Sequence, residues 1–122
     1  MKVKIDTKEK FHVISIGEPV FTANMTEEWR QMLLSYLNSE VRNVILNFRE
    51  VAELDQEGVG LLISLQQQFH ENHCSFVCCE MNPGMQAFLA SRPNGELLNI
   101  TPTESEAWDM VQMEEIEREL GF

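Results

Sequence analysis

Apolar residues recur with changing period along this chain, and each change of period marks an element. Val3–Asp6 and Phe11–Ile16 read as strands on either side of a polar turn, Thr7–Lys10. In the second, Val13 and Ser15 alternate with Ile14 and Ile16, which gives one apolar and one mixed face. Gly17-Glu18-Pro19 breaks it. Asn24 then reads as a helix N-cap, and Glu27 three residues on completes a capping box. Trp29, Met32, Leu33, Tyr36 and Leu37 sit at i, i+3, i+4, i+7 and i+8. They form one apolar stripe of a helix over Met25–Leu37, which should stop near Asn38–Ser39.

A third strand is expected over Val41–Phe48. Its Val44-Ile45-Leu46 segment is nearly continuous apolar sequence, as suits a central strand covered on both faces. Arg49–Leu54 reads as a connecting loop. Gln56–Asn72 reads as a helix with Val59, Leu62, Ile63 and Phe69 on one face and Leu61 and Leu65 beside it. So wide an apolar surface says the helix is largely buried, although Gln66 interrupts it. Ser75–Cys79 is a fourth strand of the buried type. A short helix around Pro83–Ala90 follows, with Pro83 suited to the first helical position, and then a short fifth strand, Leu97–Ile100. Thr103 and Glu106 form a second capping box, opening a last helix with Ala107, Trp108, Val111 and Ile116 inward. Strands alternating with helices predict an α/β fold with a mixed β-sheet and about four helices. The helices over Gln56–Asn72 and Met25–Leu37 should supply most of its cover.

Size and charge narrow the setting. At 122 residues the chain has the length of one small domain with its own core. No apolar run approaches the roughly 18–20 residues that cross a bilayer, and MKVKIDTKEK lacks the apolar centre of a signal peptide. A cytoplasmic protein without membrane insertion is expected. The formal net charge of -11 argues against nucleic acid and against anionic membranes, and it permits a basic protein partner. An acidic surplus also serves solubility. The charges are unevenly spread. The four lysines, Lys2, Lys4, Lys8 and Lys10, lie in the first ten residues, whereas from Thr101 onward seven carboxylates meet one base, Arg118.

Cys74, Cys78 and Cys79, with His70 and His73 nearby, raise the question of zinc. The spacing is poor for it, since no C-x-x-C pairs with a second such unit. Adjacent Cys78 and Cys79 in a strand point to opposite faces. An odd cysteine count without a signal peptide reads as reduced, buried thiols. No metal and no cofactor are expected.

Val44–Gly60, VILNFREVAELDQEGVG, is the most informative stretch. A strand-like run leads to Asp55, and Gly58 and Gly60 open a helical pattern. Asp55 can cap that helix by accepting from the backbone N–H of Glu57 or Gly58. Glu57 then lies in the first turn, where the macrodipole favours a carboxylate. Gly58 and Gly60 leave room for a close-approaching backbone or partner. With Thr22-Ala23 before the first helix, Val44–Phe48, and Asp55-x-x-Gly58-Val59-Gly60, the chain resembles STAS domains, the fold of anti-sigma factor antagonists. The resemblance runs roughly from Val3 to Val111. It implies a binding module without catalysis, with a protein partner such as an anti-sigma factor that is also a serine kinase. Other members of the family are regulatory scaffolds, transporter tails or accessory subunits of lipid-transport ABC systems, and that alternative stays open. A homodimer is also compatible with the resemblance.

The resemblance makes Asp55, Gln56, Glu57, Gly58 and Gly60 the partner-binding switch loop. In the family, the residue just before the loop glycine is the phosphorylated serine or threonine. Here it is Glu57, a fixed negative charge that cannot be phosphorylated, and Gln56 also lacks a hydroxyl. The chain continues beyond a minimal domain, so residues 1–112 are read as the STAS-like domain and 113–122 as a helical C-terminal extension. Ile116 and Leu120 there would pack on the body or offer a stripe to another chain, with packing on the body the expected arrangement.

Two further function classes fare worse. A phosphoacceptor receiver domain needs an early acidic pair for magnesium and a late lysine, and no lysine follows Lys10. An enzyme would show a P-loop, G-x-G-x-x-G or G-x-S-x-G, none of which occurs. Cys74 with His70 or His73 gives no geometric case for a nucleophile and base.

Overall fold

The computed structural model describes residues 2–21 and 25–121. In chain order its elements are β1 (Val3–Thr7), β2 (Phe11–Ile16), β3 (Val20–Phe21), α1 (Thr26–Ser35), β4 (Asn43–Asn47), β5 (Glu53–Leu54), α2 (Gln56–Glu71), β6 (Phe76–Cys79), α3 (Pro83–Ser91), β7 (Ile100–Thr101) and α4 (Glu104–Glu119). Five strands form one mixed sheet in the order β1-β2-β4-β6-β7. The β1–β2 pair is antiparallel, and every other neighbouring pair in that sheet is parallel.

The period-two geometry of the strands sorts the apolar residues into two cores. Ile14, Leu46, Cys78 and Ile100 stand side by side across four strands and face α1, α2 and α3. Val13, Ile45 and Val77 form the neighbouring row on the opposite face, beneath Ala107 and Val111 of α4. Val44, Ile45 and Leu46 are each 0% exposed, as their unbroken apolar run predicts for a strand between two layers. The expected cover by α2 and α1 holds for one face, where α3 joins them. The other face belongs to α4.

Packing, not capping, holds α2 in place. Leu61, Leu62, Leu65 and Phe69 are at most 2% exposed, and each such side chain is worth about 1.5–3 kcal/mol. The Asp55 cap adds about 1 kcal/mol. Gln66, which interrupts the apolar face, is buried because its Oε1 accepts the Asn99 N–H at 3.0 Å. It pins the segment that leads into β7.

The start of α4 carries the expected cap, with Thr103 Oγ1 accepting from the Glu106 N–H at 3.2 Å. Further along, α4 is tied to the sheet by a polar cluster. Asn43 Nδ2 donates to Glu115 Oε1 at 2.7 Å, and Arg118 Nη2 donates to Ser75 Oγ and to Glu115 Oε1, each at 3.0 Å. Burial opposes the Glu115 charge, but the hydrogen bonds from Asn43 and Arg118 outweigh it and hold the carboxyl below its usual range.

Several expectations are corrected. Ile116 is not inward. It is 55% exposed and Leu120 67%, because Ile116 lies two and a half turns after the buried Ala107, on the opposite side of α4, and the body-facing side at that level is taken by Glu114, Glu115 and Arg118. The segment read as a loop contains β5, which pairs in parallel with β3. Two-residue strands have no period to detect. The fifth strand lies at Ile100–Thr101 and not Leu97–Ile100, since Gly95–Leu97 forms a 3-10 turn after Asn94, which has φ 65°. The first helix begins at Thr26 and ends at Ser35, with a 3-10 turn over Tyr36–Asn38. The expected Asn24 cap and the Thr22-Ala23 pair lie outside the described residues.

Cys78 and Cys79 do point to opposite faces, Cys78 into the core under α2 and Cys79 into the core under α4. Burial pushes the Cys79 thiol up to about 12, with Glu104 and Glu80 adding to the effect. Burial likewise raises Cys78 and Cys74.

Two measurements check this packing. A Cβ at position 95 would sit 2.0 Å from the Leu89 carbonyl oxygen. Gly95→Ala should therefore lower stability by about 2–3 kcal/mol, seen as a lower denaturant midpoint with an unchanged m-value. An unchanged midpoint would mean that the turn is looser than described. Separately, iodoacetamide at pH 7.5 should label none of the three cysteines in the folded chain at the rate of a free thiol, and all three after unfolding. Rapid labelling of one of them in the folded chain would contradict the burial.

Candidate functional site

The start of α2 is built by a backbone crossing. After β5 the chain turns at Asp55, whose extended backbone, with φ -100° and ψ 178°, leads into the first helical turn. Asp55 Oδ1 accepts the Gly58 N–H at 2.8 Å, the second of the two partners that the sequence allows for this cap. The Asp55 N–H donates to the Phe21 carbonyl at 3.3 Å, and the Val59 N–H to the Asp55 carbonyl at 3.0 Å. The β3–β5 pair thus docks against the end of the helix through Phe21.

Gly58 is buried and is required by this approach. A Cβ there would lie 2.8 Å from the Phe21 carbonyl oxygen and 2.9 Å from its ring. Phe21 is itself 0% exposed and packs on Trp29 of α1 and on Phe48 after β4. Gly60 is different. It is exposed, and among the described residues a Cβ there would meet nothing within 4 Å outside its own helix. The room expected for a close-approaching backbone is thus used at Gly58 by this chain's own β3, and at Gly60 by nothing among the described residues.

Gln56 and Glu57 are exposed, and Asp55 is half-buried. Among the described residues Glu57 has no ion-pair partner. Its carboxylate lies at the positive end of the helix dipole, which favours it by about 0.3–1 kcal/mol. The nearby chain adds more negative charge, with Glu50 and Glu53 also exposed. About two turns further along α2, α1 lies against it and Arg30 Nη1 donates to Ser64 Oγ at 3.3 Å. Chemically the surface offers acceptors and charge. The five residues singled out in the sequence fall into an inner pair, Asp55 and Gly58, and an outer three, Gln56, Glu57 and Gly60.

Phe21 is the residue of this site that the sequence reading missed. Its signal was weak, because β3 spans two residues. Among the described residues no group of three or more His, Cys, Asp or Glu side chains is arranged to hold a metal ion, and no helix is long and apolar enough to cross a membrane.

Comparison with known proteins agrees with this geometry. The STAS domain family model matches residues 2–107. An anti-sigma-factor antagonist (STAS) domain protein from Planctomyces limnophilus superposes with a TM-score of 0.76 at 17% identity, over 90% of this chain and 97% of that one. A glutamate variant of Moorella thermoacetica RsbS gives 0.74 at 13% identity, over 92% and 96%. The Bacillus cell fate determinant SpoIIAA, in its phosphorylated form, gives 0.66 at 19% identity, over 90% and 99%. At such identities these likenesses speak for the fold, and the family match covers most of the sequence. The chain belongs to the STAS domain family.

Proposed function

We propose that this chain is a non-catalytic regulatory module, like an anti-sigma factor antagonist, that binds a protein partner through residues 55–60. Asp55 and Gly58 hold the turn, and Gln56, Glu57 and Gly60 meet the partner. The observation that carries this reading is the exposed Glu57 carboxylate on a turn whose inner side is occupied by Phe21. In the family that the sequence resembles, the residue before the loop glycine is the one that is phosphorylated. The partner expected on that basis is an anti-sigma factor that is also a serine kinase, in a bacterial cytoplasm. Residues 1–112 form the binding domain in this reading, with 113–122 as its helical extension.

Glu57 acts here as a partial mimic of the phosphorylated state. It carries one charge, whereas a phosphoserine carries about -1.5 to -2 and three acceptor oxygens. A partner shaped for an unmodified hydroxyl would have to desolvate that carboxylate without pairing it, unless it brings an Arg or Lys. The acidic surroundings of the turn sharpen the effect.

The test measures binding to the candidate anti-sigma kinase at low and physiological salt. Glu57→Ser should bind about tenfold more tightly than the wild type, the weight of one unpaired charge, and should accept phosphate from the kinase. Glu57→Gln should fall between them. Equal binding by all three chains would leave Glu57 as a helix-start residue. If the wild type binds best and salt weakens it, the partner carries a basic pocket, and the scaffold or accessory-subunit reading takes over.

Gly60→Ala separates contact from fold. With no described residue outside its own helix within 4 Å of the new Cβ, it should raise stability by about 0.5–1 kcal/mol and yet weaken partner binding. Unchanged binding would remove Gly60 from the interface.

A further inference from the structure

The outer side of α4 carries an apolar stripe that the fold leaves uncovered. Met113, Ile116 and Leu120 follow at spacings of three and four, so they line one side of the helix and its end. They are 63%, 55% and 67% exposed. The opposite side, at Ala107 and Val111, is the one buried on the sheet.

Charge is arranged around this stripe with one sign. Glu106, Asp109, Glu117 and Glu119 are exposed along the same outer side. The helix's base, Arg118, is turned inward and bonded to Ser75, Asn43 and Glu115. Lys8, which lies 5.0 Å from the Trp108 ring on the flank of the helix, is paired with Asp6 at 3.0 Å. Glu117 and Glu119 also occupy the last turn of α4, where the dipole disfavours a carboxylate. The fold gains nothing locally from acids there.

The geometry points to a docking surface for a basic amphipathic segment, one that lays its apolar face on Met113, Ile116 and Leu120 and brings Lys or Arg to the four carboxylates. Size and sign together select that occupant. Three aliphatic side chains fall short of the roughly 800 Å² that each partner buries in a stable complex. The rim must therefore enter the contact. A second copy of this chain would bring its own carboxylates against these, and like charges facing each other oppose association. A basic segment turns the same rim into an attraction. The surface lies on the other face of the sheet from the α2 start, so it stands whether or not the reading of Glu57 holds, and both surfaces can be engaged together.

The probe is a synthetic helical peptide of Leu and Lys with one apolar face. Its control has Glu in place of every Lys. Both are titrated into the full chain, with amide shifts mapped by NMR and affinity read by fluorescence anisotropy. The Lys peptide should bind, with shifts concentrated at residues 106–120, and the Glu peptide should not. Ile116→Gln should weaken binding about tenfold, the weight of one buried aliphatic anchor. The Glu117→Gln, Glu119→Gln pair should weaken it at 50 mM salt, and by much less at 500 mM. Both variants change exposed residues; Ile116→Gln should melt with the wild type and the Glu117→Gln, Glu119→Gln pair at or above it, because the dipole disfavours those charges, which keeps a folding defect from imitating the result. Absence of binding by the Lys peptide would overturn the proposal. So would equal binding to the wild type and both variants, or shifts centred away from α4. Self-association of the wild type that Ile116→Gln abolishes would assign the stripe to a second copy instead.

Discussion

The Phe21 carbonyl comes so close to Gly58 that no side chain fits between them, and the rest of the site follows from that approach. It brings β3 onto the end of α2, joined by the Asp55 N–H to Phe21 and by the short β3–β5 pair. Asp55 then reaches Gly58 as its cap partner. With its inner side fully used, the turn can only present Gln56, Glu57 and Gly60 outward. The energy that fixes this arrangement comes from elsewhere, from the leucines and Phe69 that anchor α2 on the sheet. The core supplies stability, and the glycine supplies the geometry.

The sheet divides the chain's contacts between its two faces. One face carries α1, α2 and α3, and with them the turn at Asp55–Gly60. The other, among the described residues, carries α4, whose far side meets no further layer there. A helix that is the outermost layer should be polar on its outer side. Here that side mixes three large exposed apolar residues with carboxylates, and the proposed docking surface rests on that departure.

Much of this was legible in the sequence because it rests on long, periodic signals. The unbroken Val44-Ile45-Leu46 run marked the central strand, the wide apolar surface of Gln56–Asn72 marked the buried helix, and Thr103 marked the start of α4. What escaped was set by contacts between distant residues. Nothing local in Val20-Phe21 announces that its backbone will press on Gly58 thirty-seven residues later. The 3-10 turn at Gly95–Leu97 depends on the close Leu89 carbonyl, so the strand after it was placed too early. Ile116 is apolar, but it lies nine residues after Ala107, two and a half turns, on the opposite side of the helix, and Asn43, Ser75, Glu115 and Arg118 hold the inward side at that level. The residues of the α2 start were all visible beforehand. Their division into an inner and an outer set was not, because it depends on Phe21.

Amide hydrogen exchange in Gly58→Ala tests the central claim most directly, since the variant places a methyl group 2.8 Å from the Phe21 carbonyl oxygen. In the wild type the amides of Asp55, Gly58 and Val59 should be protected, and those of Gln56 and Glu57 should exchange quickly as uncapped first-turn donors. In the variant, protection at positions 55, 58 and 59 should collapse, while Val44, Ile45 and Leu46 lose only what the drop in global stability requires. If positions 55, 58 and 59 instead kept their protection relative to that strand, the close approach of Phe21 would not be what holds the turn, and the account would be wrong.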